Sequence, residues 1–277
     1  MNDPAAIPPP KVLSPRMQWV RAQAYALAYL TYYGMVEQYS RATLGLLWFL
    51  ITPVLMIVVY GTVLTTIYRS DFYPDFFVYC LVIMGGLLPW IAFSEGLGSA
   101  TMSVVQNPTV IRNSPLPPVF LPTVKVVQTF LGLFFTLIVF TVVAALTGRA
   151  NLWNAWALPY AFVTLLGFTL GLSWFFAALA VYVRDVTQLI STLLLVGLFA
   201  SPVLYSRDMS ENMPYYVHIA IAWNPTTPYL ELVRSVLTEG GEVIARDVIL
   251  APVLAIVSLM VGVFTFRKLQ PGMADML

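Results

Sequence analysis

The stretch LGLLWFLITPVLMIVVYGTVLTTIY, residues 44–68, holds twenty-five residues without a charge, with Arg41 before it and Arg69 and Asp71 after it. At about 1.5 Å per helical residue it covers the roughly 30 Å hydrocarbon core of a bilayer, with length left for tilt. A membrane-spanning helix is therefore expected here. Pro53 stands in its middle, where a soluble helix breaks. In lipid the alternative to a helix is several unpaired backbone groups, so a kink is expected rather than an end.

The rest of the composition agrees. Of 277 residues, 59% are apolar and 10% charged, against roughly 25% charged in soluble domains. The apolar runs are unbroken over about twenty residues, whereas barrel strands alternate over about ten, so an all-α integral membrane protein is expected. A net charge of +1 with no long basic patch excludes a nucleic-acid partner. Cys80 is the single cysteine and His218 the single histidine. Neither an internal disulfide nor a metal cluster is readable, and Cys80 is expected as a small buried apolar side chain.

Residues 1–15, MNDPAAIPPPKVLSP, read as a proline-rich extended or disordered tail with no signal peptide. Residues 16–43 interleave Trp19, Tyr25, Tyr29, Tyr32, Tyr33 and Tyr39 with Arg16, Arg21, Glu37 and Arg41, the composition of a helix lying at the cytoplasmic interface. The alternative, a short span over 22–34, falls below the roughly 20 residues a crossing needs. Within the transmembrane domain, 44–277, five further spans are expected at about 76–98, 124–146, 158–183, 186–205 and 248–266. Six spans with the N-terminus inside place Lys11, Arg16, Arg21, Arg41, Arg112, Lys125, Arg184, Arg267 and Lys268 on the inner side. Arg69, Arg149, Arg207, Arg234 and Arg246 then lie outside. Nine against five puts both termini in the cytoplasm.

Two connections carry a pattern of their own. The inner one, 99–123, places a short helical piece at 101–106 before Asn107-Pro108 and then prolines at 115, 117, 118 and 122. A rigid non-helical elbow is expected. The outer one, 206–247, contains apolar pieces at 214–223 and 228–237, too short to cross. Pro214 and Pro228 fit first helical positions, Thr227 fits a cap and Gly240-Gly241 a stop. Two short external helices follow, either re-entrant or lying at the interface.

No catalytic constellation is readable. The chain has no G-x-x-x-x-G-K-[ST], so an energy source must be a partner. Glu95, a carboxylate inside the second span, is a functional candidate; its plain alternative is a side chain reaching water near the interface. Arg184-Asp185, at the inner turn between the fourth and fifth spans, fits a local ion pair, a cap, or a partner contact. Trp48, Phe49 and Tyr60 on the first span offer flat faces to sugar rings, or a packed helix interface with the same spacing.

Four stretches resemble the membrane subunit of type-2 ABC exporters for polysaccharides, the group handling O-antigen, capsule and teichoic-acid chains. They are YSRATLGLLWFLITPVL (39–55), GLLPWIAFSEGLGSATMSVVQNPTVIRNSPLPPVFLP (86–122), VRDVTQLISTLLLVGLFASPVLY (183–205) and NPTTPYLELVR (224–234). The resemblance implies a permease of the bacterial inner membrane that forms a homodimer around a channel for a lipid-linked glycan. It implies two copies of a cytoplasmic P-loop ATPase that hold ATP and Mg, this chain binding no cofactor itself. It assigns ATPase coupling to Met102, Val105, Gln106, Asn107, Pro108, Arg112, Arg184 and Asp185. The channel entrance and wall fall to Arg41, Gly45, Trp48, Phe49, Tyr60 and Glu95, and the external gate to Tyr215, Trp223, Tyr229, Glu231 and Arg234. After Arg112 the chain carries Asn113-Ser114 where a second basic residue is usual. Two other readings remain: export of a small lipid or drug by the same fold, and an integral-membrane glycan enzyme built on Arg207, Asp208, Glu211, Glu231 and Arg234.

Overall fold

The computed structural model describes residues 15–40, 51, 55, 58, 59, 62, 75–114, 116–207 and 214–277. Every regular element among them is helical. We number them α1 (Pro15–Ser40), α2 (Phe76–Ser103), α3 (Pro108–Asn113), α4 (Phe120–Leu146), α5 (Ala157–Tyr182), α6 (Val186–Ala200), α7 (Tyr215–Ala222), α8 (Thr227–Leu237), α9 (Ala245–Leu269) and α10 (Met273–Met276). Within 44–68, Ile51, Leu55, Val58, Val59 and Thr62 are helical. The rest of that stretch, with Arg41, Trp48, Phe49 and Tyr60, lies outside the described residues.

Among the described residues, four helical segments are long and apolar enough to cross a membrane: Phe76–Ser103, Phe120–Leu146, Ala157–Tyr182 and Ala245–Met276. Each exceeds the 20-residue requirement. The expected crossing at 186–205 is shorter. Helix α6 has 15 residues and stops at Ala200, about 22 Å at 1.5 Å per residue. The stop is local chemistry: Ser201 precedes Pro202 and is extended at φ −98°, ψ 154°, as a residue before proline prefers.

Helix α2 is the hub. Asp75 starts it, its Oδ1 accepting from the Phe77 amide at 2.9 Å, and Pro89 lies inside it without ending it. Residues 79–90 are all buried, so α2 is enclosed on every side over its first half. Its core partners come from α4 (Phe130, Leu133, Leu137), α5 (Leu165, Phe168) and α8 (Tyr229, Leu230, Val233). Helices α5 and α9 approach so closely that a Cβ at Gly171 would strike the Ser258 backbone and one at Gly262 would strike Gly171. Small residues allow such crossings in lipid, where van der Waals contact drives association. Helix α1 attaches to α4 through Gln128, whose Nε2 donates to the Thr31 carbonyl at 3.2 Å. Tyr25, Tyr29 and Tyr33 form a stacked row on the exposed side of α1.

A second, smaller core marks one end of the bundle. Val104 packs with Ala177, Ala178 and Val181 of α5, Phe266 of α9 and Met273 of α10, with Ile111 and Leu121 against them. The connection after α2 is thus held at the C-terminal ends of α5 and α9. It is also not wholly non-helical, as expected from its prolines: residues 108–113 form α3, with Pro108 in its first turn, and Pro122 lies in the first turn of α4. Proline lacks only an amide that has no partner in a first turn, so both are tolerated.

Replacing Gly171 by Val is expected to cost about 1–3 kcal/mol or more through overpacking. Gly98→Ala, whose Cβ would meet nothing nearer than Leu194 Cδ1 at 3.7 Å, is expected to be neutral. Thermal melting of the purified proteins in detergent, followed by size-exclusion chromatography, separates the two outcomes.

Candidate functional site

The coupling and gate residues singled out from the sequence fall at two ends of the bundle, and the ends are built differently. The first is the end where the α2–α4 connection meets α10. There Met102 and Val105 are exposed although apolar, and Gln106 and Arg112 are exposed as well. Asn107 makes the bend: its Nδ2 donates to the Ser103 carbonyl at 2.8 Å, and α3 begins at the next residue. The side chain thereby satisfies a carbonyl left over at the end of α2. Arg184 and Asp185 are exposed at the same end, since Val181 and Tyr182 of α5 belong to the small core that holds Val104 and Ile111. Asp185 sits at the N-cap of α6 without a side-chain cap bond, and among the described residues it forms no ion pair with Arg184. Among the described residues neither side chain makes an ion pair.

At the opposite end the charges are engaged. Arg234 of α8 is 3% exposed, and its guanidinium is used on every side. Nε donates to the Val82 carbonyl of α2 at 2.8 Å. Nη2 donates to the Pro202 and Val203 carbonyls at 2.6 and 2.7 Å, and Nη1 to Glu231 Oε1 at 2.7 Å. Gly85 and Gly86 of α2 make room: a Cβ on Gly85 would come within 2.7 Å of Arg234 Cγ, and one on Gly86 would strike its Nη2. The carbonyls after α6 are available because Pro202 has ended that helix.

Three further contacts close this end. Arg207 Nη2 pairs with Asp247 Oδ2 at 2.9 Å, the latter side chain 4% exposed. Asp75 accepts from Arg149 Nη2 at 2.6 Å in a pair that is more than a third exposed. Asn151 and Asn154, between α4 and α5, donate through Nδ2 to the Gly241 carbonyl at 3.1 and 2.9 Å. A cavity of about 750 Å³ opens between these elements, with Arg149, Arg207, Glu231, Arg234, Glu239 and Glu242 on its wall.

The five residues expected at the external gate therefore separate. Tyr229, Glu231 and Arg234 are built into the bundle; the Tyr229 ring stacks on Phe168 at 5.4 Å and its hydroxyl donates to the Ala251 carbonyl at 2.9 Å. Tyr215 and Trp223 are exposed on and beside α7. Trp223 lies under the Arg246 guanidinium at 5.1 Å, which also donates to the Ala222 carbonyl at 2.7 Å. Thr227, expected as a cap for α8, instead donates to the Ile221 carbonyl at 2.8 Å. The turn before α8 is held by Asn224, whose Oδ1 accepts from the Thr226 amide at 2.9 Å and whose Nδ2 donates to the Ala200 carbonyl at 3.2 Å. The Asn-Pro-Thr order of such an Asx turn is readable locally, whereas its tie to α6 is not. Glu95 is exposed on α2, on the stretch where Gly98 faces Leu194 and Trp90 faces Gly197 of α6.

Sequence reasoning missed Asp75, Asn151, Asn154 and the Arg207–Asp247 pair. Apart from the local N-cap bond of Asp75 to the Phe77 amide, their partners lie 40 to 90 residues away, where no local spacing announces them. Among the described residues no group of three or more His, Cys, Asp or Glu side chains could hold a metal. Of the cluster set aside for an enzyme reading, Asp208 and Glu211 lie outside the described residues, and Glu231 and Arg234 pair with each other. This end of the bundle is chemically a brace.

Removing one partner from a buried charge network leaves the others uncompensated. Arg234→Met is expected to cost about 3–5 kcal/mol, while Arg149→Met, at a half-exposed pair, is expected to cost about 1 kcal/mol or less. Detergent melting of the two variants against the parent tests the ranking.

The family described as ABC-2 type transporter matches residues 25–238. An O-antigen export system permease protein of Myxococcus xanthus is 30% identical over 157 residues, covering 57% of this chain and 59% of the relative. Two Klebsiella pneumoniae proteins carrying the same description are 25% identical over 166 residues, 60% of this chain and 62% of each relative. The aligned parts thus span about three fifths of these relatives' length.

Proposed function

Because this chain belongs to the ABC-2 type transporter family, we propose that it is the permease subunit of an ATP-driven exporter moving a lipid-linked, O-antigen-like polysaccharide outward across the bacterial inner membrane. Two copies enclose the channel, and two copies of a cytoplasmic P-loop ATPase supply the energy, holding ATP and Mg. The glycan assignment rests on the relatives, which are described as O-antigen export permeases.

One observation in this chain carries the coupling part of the reading: the exposed surface of the α2–α4 connection, with Met102, Val105 and Arg112 outward, sits on a small core shared with the ends of α5 and α9. A push on that surface reaches two long helices directly, since packed cores transmit displacement rather than absorb it. Arg184 and Asp185 extend the same face. The Asn107-Pro108 bend keeps the pushed segment from continuing α2 as a straight rod.

The family topology needs six crossings with both termini in the cytoplasm. We assign 44–68 as the first and α6 with the turn at 201–205 as the fifth. Helices α7 and α8 form the re-entrant outer pair. The placement of α8 supports this: Val236, near its end, accepts from the Asn151 amide at 2.9 Å, while Tyr229, near its start, stacks on Phe168, the twelfth residue of α5. It thus runs from the bundle end toward mid-depth.

The test is affinity purification of the chain from its native membrane in mild detergent, with mass spectrometry of what accompanies it. A P-loop ATPase at one copy per copy of this chain is expected, and its absence from folded material would overturn the exporter reading. With the complex in hand, Arg112→Glu is expected to lower surface glycan export by a factor within about 5–150, the range of typical coupling energies, at unchanged membrane insertion. Normal export in that variant removes the coupling role of the elbow.

A further inference from the structure

The inner end of α9 carries a feature that coupling and export leave unused. Leu259, Val263 and Arg267 form one row along the helix and Met260, Phe264 and Lys268 the next. Together these six residues form a shallow, open hollow of about 660 Å³ on the surface of that one helix. Four of the six are apolar, and the hollow continues outward into the exposed apolar stripe of Ile249, Val253, Ile256 and Val257. Its inner end is closed by two cations. Both are exposed, and among the described residues neither forms an ion pair with a carboxylate. Lys268 lies over the Phe264 ring, its Nζ 5.9 Å from the centroid, which keeps the ammonium at the hollow rather than out in solvent.

A shallow apolar face along a membrane-spanning helix that ends at two exposed cations suits the chemistry of an anionic phospholipid of the bilayer. An acyl chain would lie along the apolar face, and its phosphate would meet the guanidinium and the ammonium at the end of that face. We propose that this hollow is a seat for one anionic phospholipid of the surrounding bilayer, its phosphate held by Arg267 and Lys268 and a chain laid along Leu259, Met260, Val263 and Phe264. The position gives it reach. Arg267 also lines the neighbouring hollow between the elbow (Ile111, Ser114, Leu116, Pro118) and the C-terminal turn (Gln270, Pro271). A lipid on Arg267 therefore touches the same side chain that borders the elbow. The inference needs the membrane reading only and is independent of what the protein transports.

Native mass spectrometry of the full-length protein, purified in mild detergent with whatever subunits accompany it, tests the seat. The parent is expected to retain one lipid with the mass of a phosphatidylglycerol or a cardiolipin per chain. R267Q/K268Q is expected to lower lipid affinity about thirtyfold, from two basic contacts at the membrane surface. K125Q, which removes an exposed charge on the first turns of α4, is expected to retain it. Val263→Trp, which keeps both charges and fills the hollow, is expected to lose it. Equal retention in R267Q/K268Q, equal loss in K125Q, retention in the Val263→Trp variant, or recovery of zwitterionic or polyprenyl lipid in its place would overturn the proposal.

Discussion

A single buried guanidinium organises one end of this bundle. Arg234 is satisfied by three backbone carbonyls and one carboxylate, all within hydrogen-bond distance. A buried charge is tolerated only when it is paired and bonded, so the carbonyls of α2 and of the turn after α6 must stay where they are. That requirement reaches back into both helices. Helix α2 needs two glycines to let the side chain pass, and α6 must end early enough to turn its carbonyls inward. The enclosed first half of α2 follows, because α8 fills the side that would otherwise face lipid.

Charge is used in opposite ways at the two ends. At the α8 end, arginines meet carboxylates or carbonyls and tie separate elements together. At the elbow end, Arg112, Arg184, Asp185, Arg267 and Lys268 are exposed, beside two exposed apolar side chains that a water-facing turn would not need. Of the two short helices before α9, α8 is packed against α2, α5 and α9, whereas Tyr215 and Trp223, on and beside α7, are exposed. The engaged end holds the helices in place, and the other end leaves its charges exposed.

Much of this was legible in the chain, and the failures are instructive. The spans of α2, α4, α5 and α9 were readable because an unbroken apolar run of bilayer length has few alternatives to a helix. The two short outer helices were readable from length and from prolines at first-turn positions. Helix α6 was read too long because apolar composition continues through 201–205, while the dihedral preference of the residue before Pro202 stops the helix. The prolines of the elbow predict a non-helical segment, yet Pro108 and Pro122 fall in first turns, where they break nothing. Thr227 was taken as a cap from its type and place, but the Ile221 carbonyl was the nearer partner.

The sequence by itself determined what is set by transfer from water to lipid and by local backbone chemistry: an all-helical membrane protein, the position of most crossings, the bend at Asn107-Pro108 and the family to which it belongs. Only the tertiary structure decided which charges are locked and which are free. Arg234 and Arg112 are both single arginines in short helices of a hydrophobic chain, and no spacing separates them. One is buried because carbonyls 31 and 152 residues distant in the chain converge on it, and the other is exposed because among the described residues no such groups converge on it. Hydrogen bonding is short in range and directional, so its outcome depends on which groups the fold brings together rather than on composition.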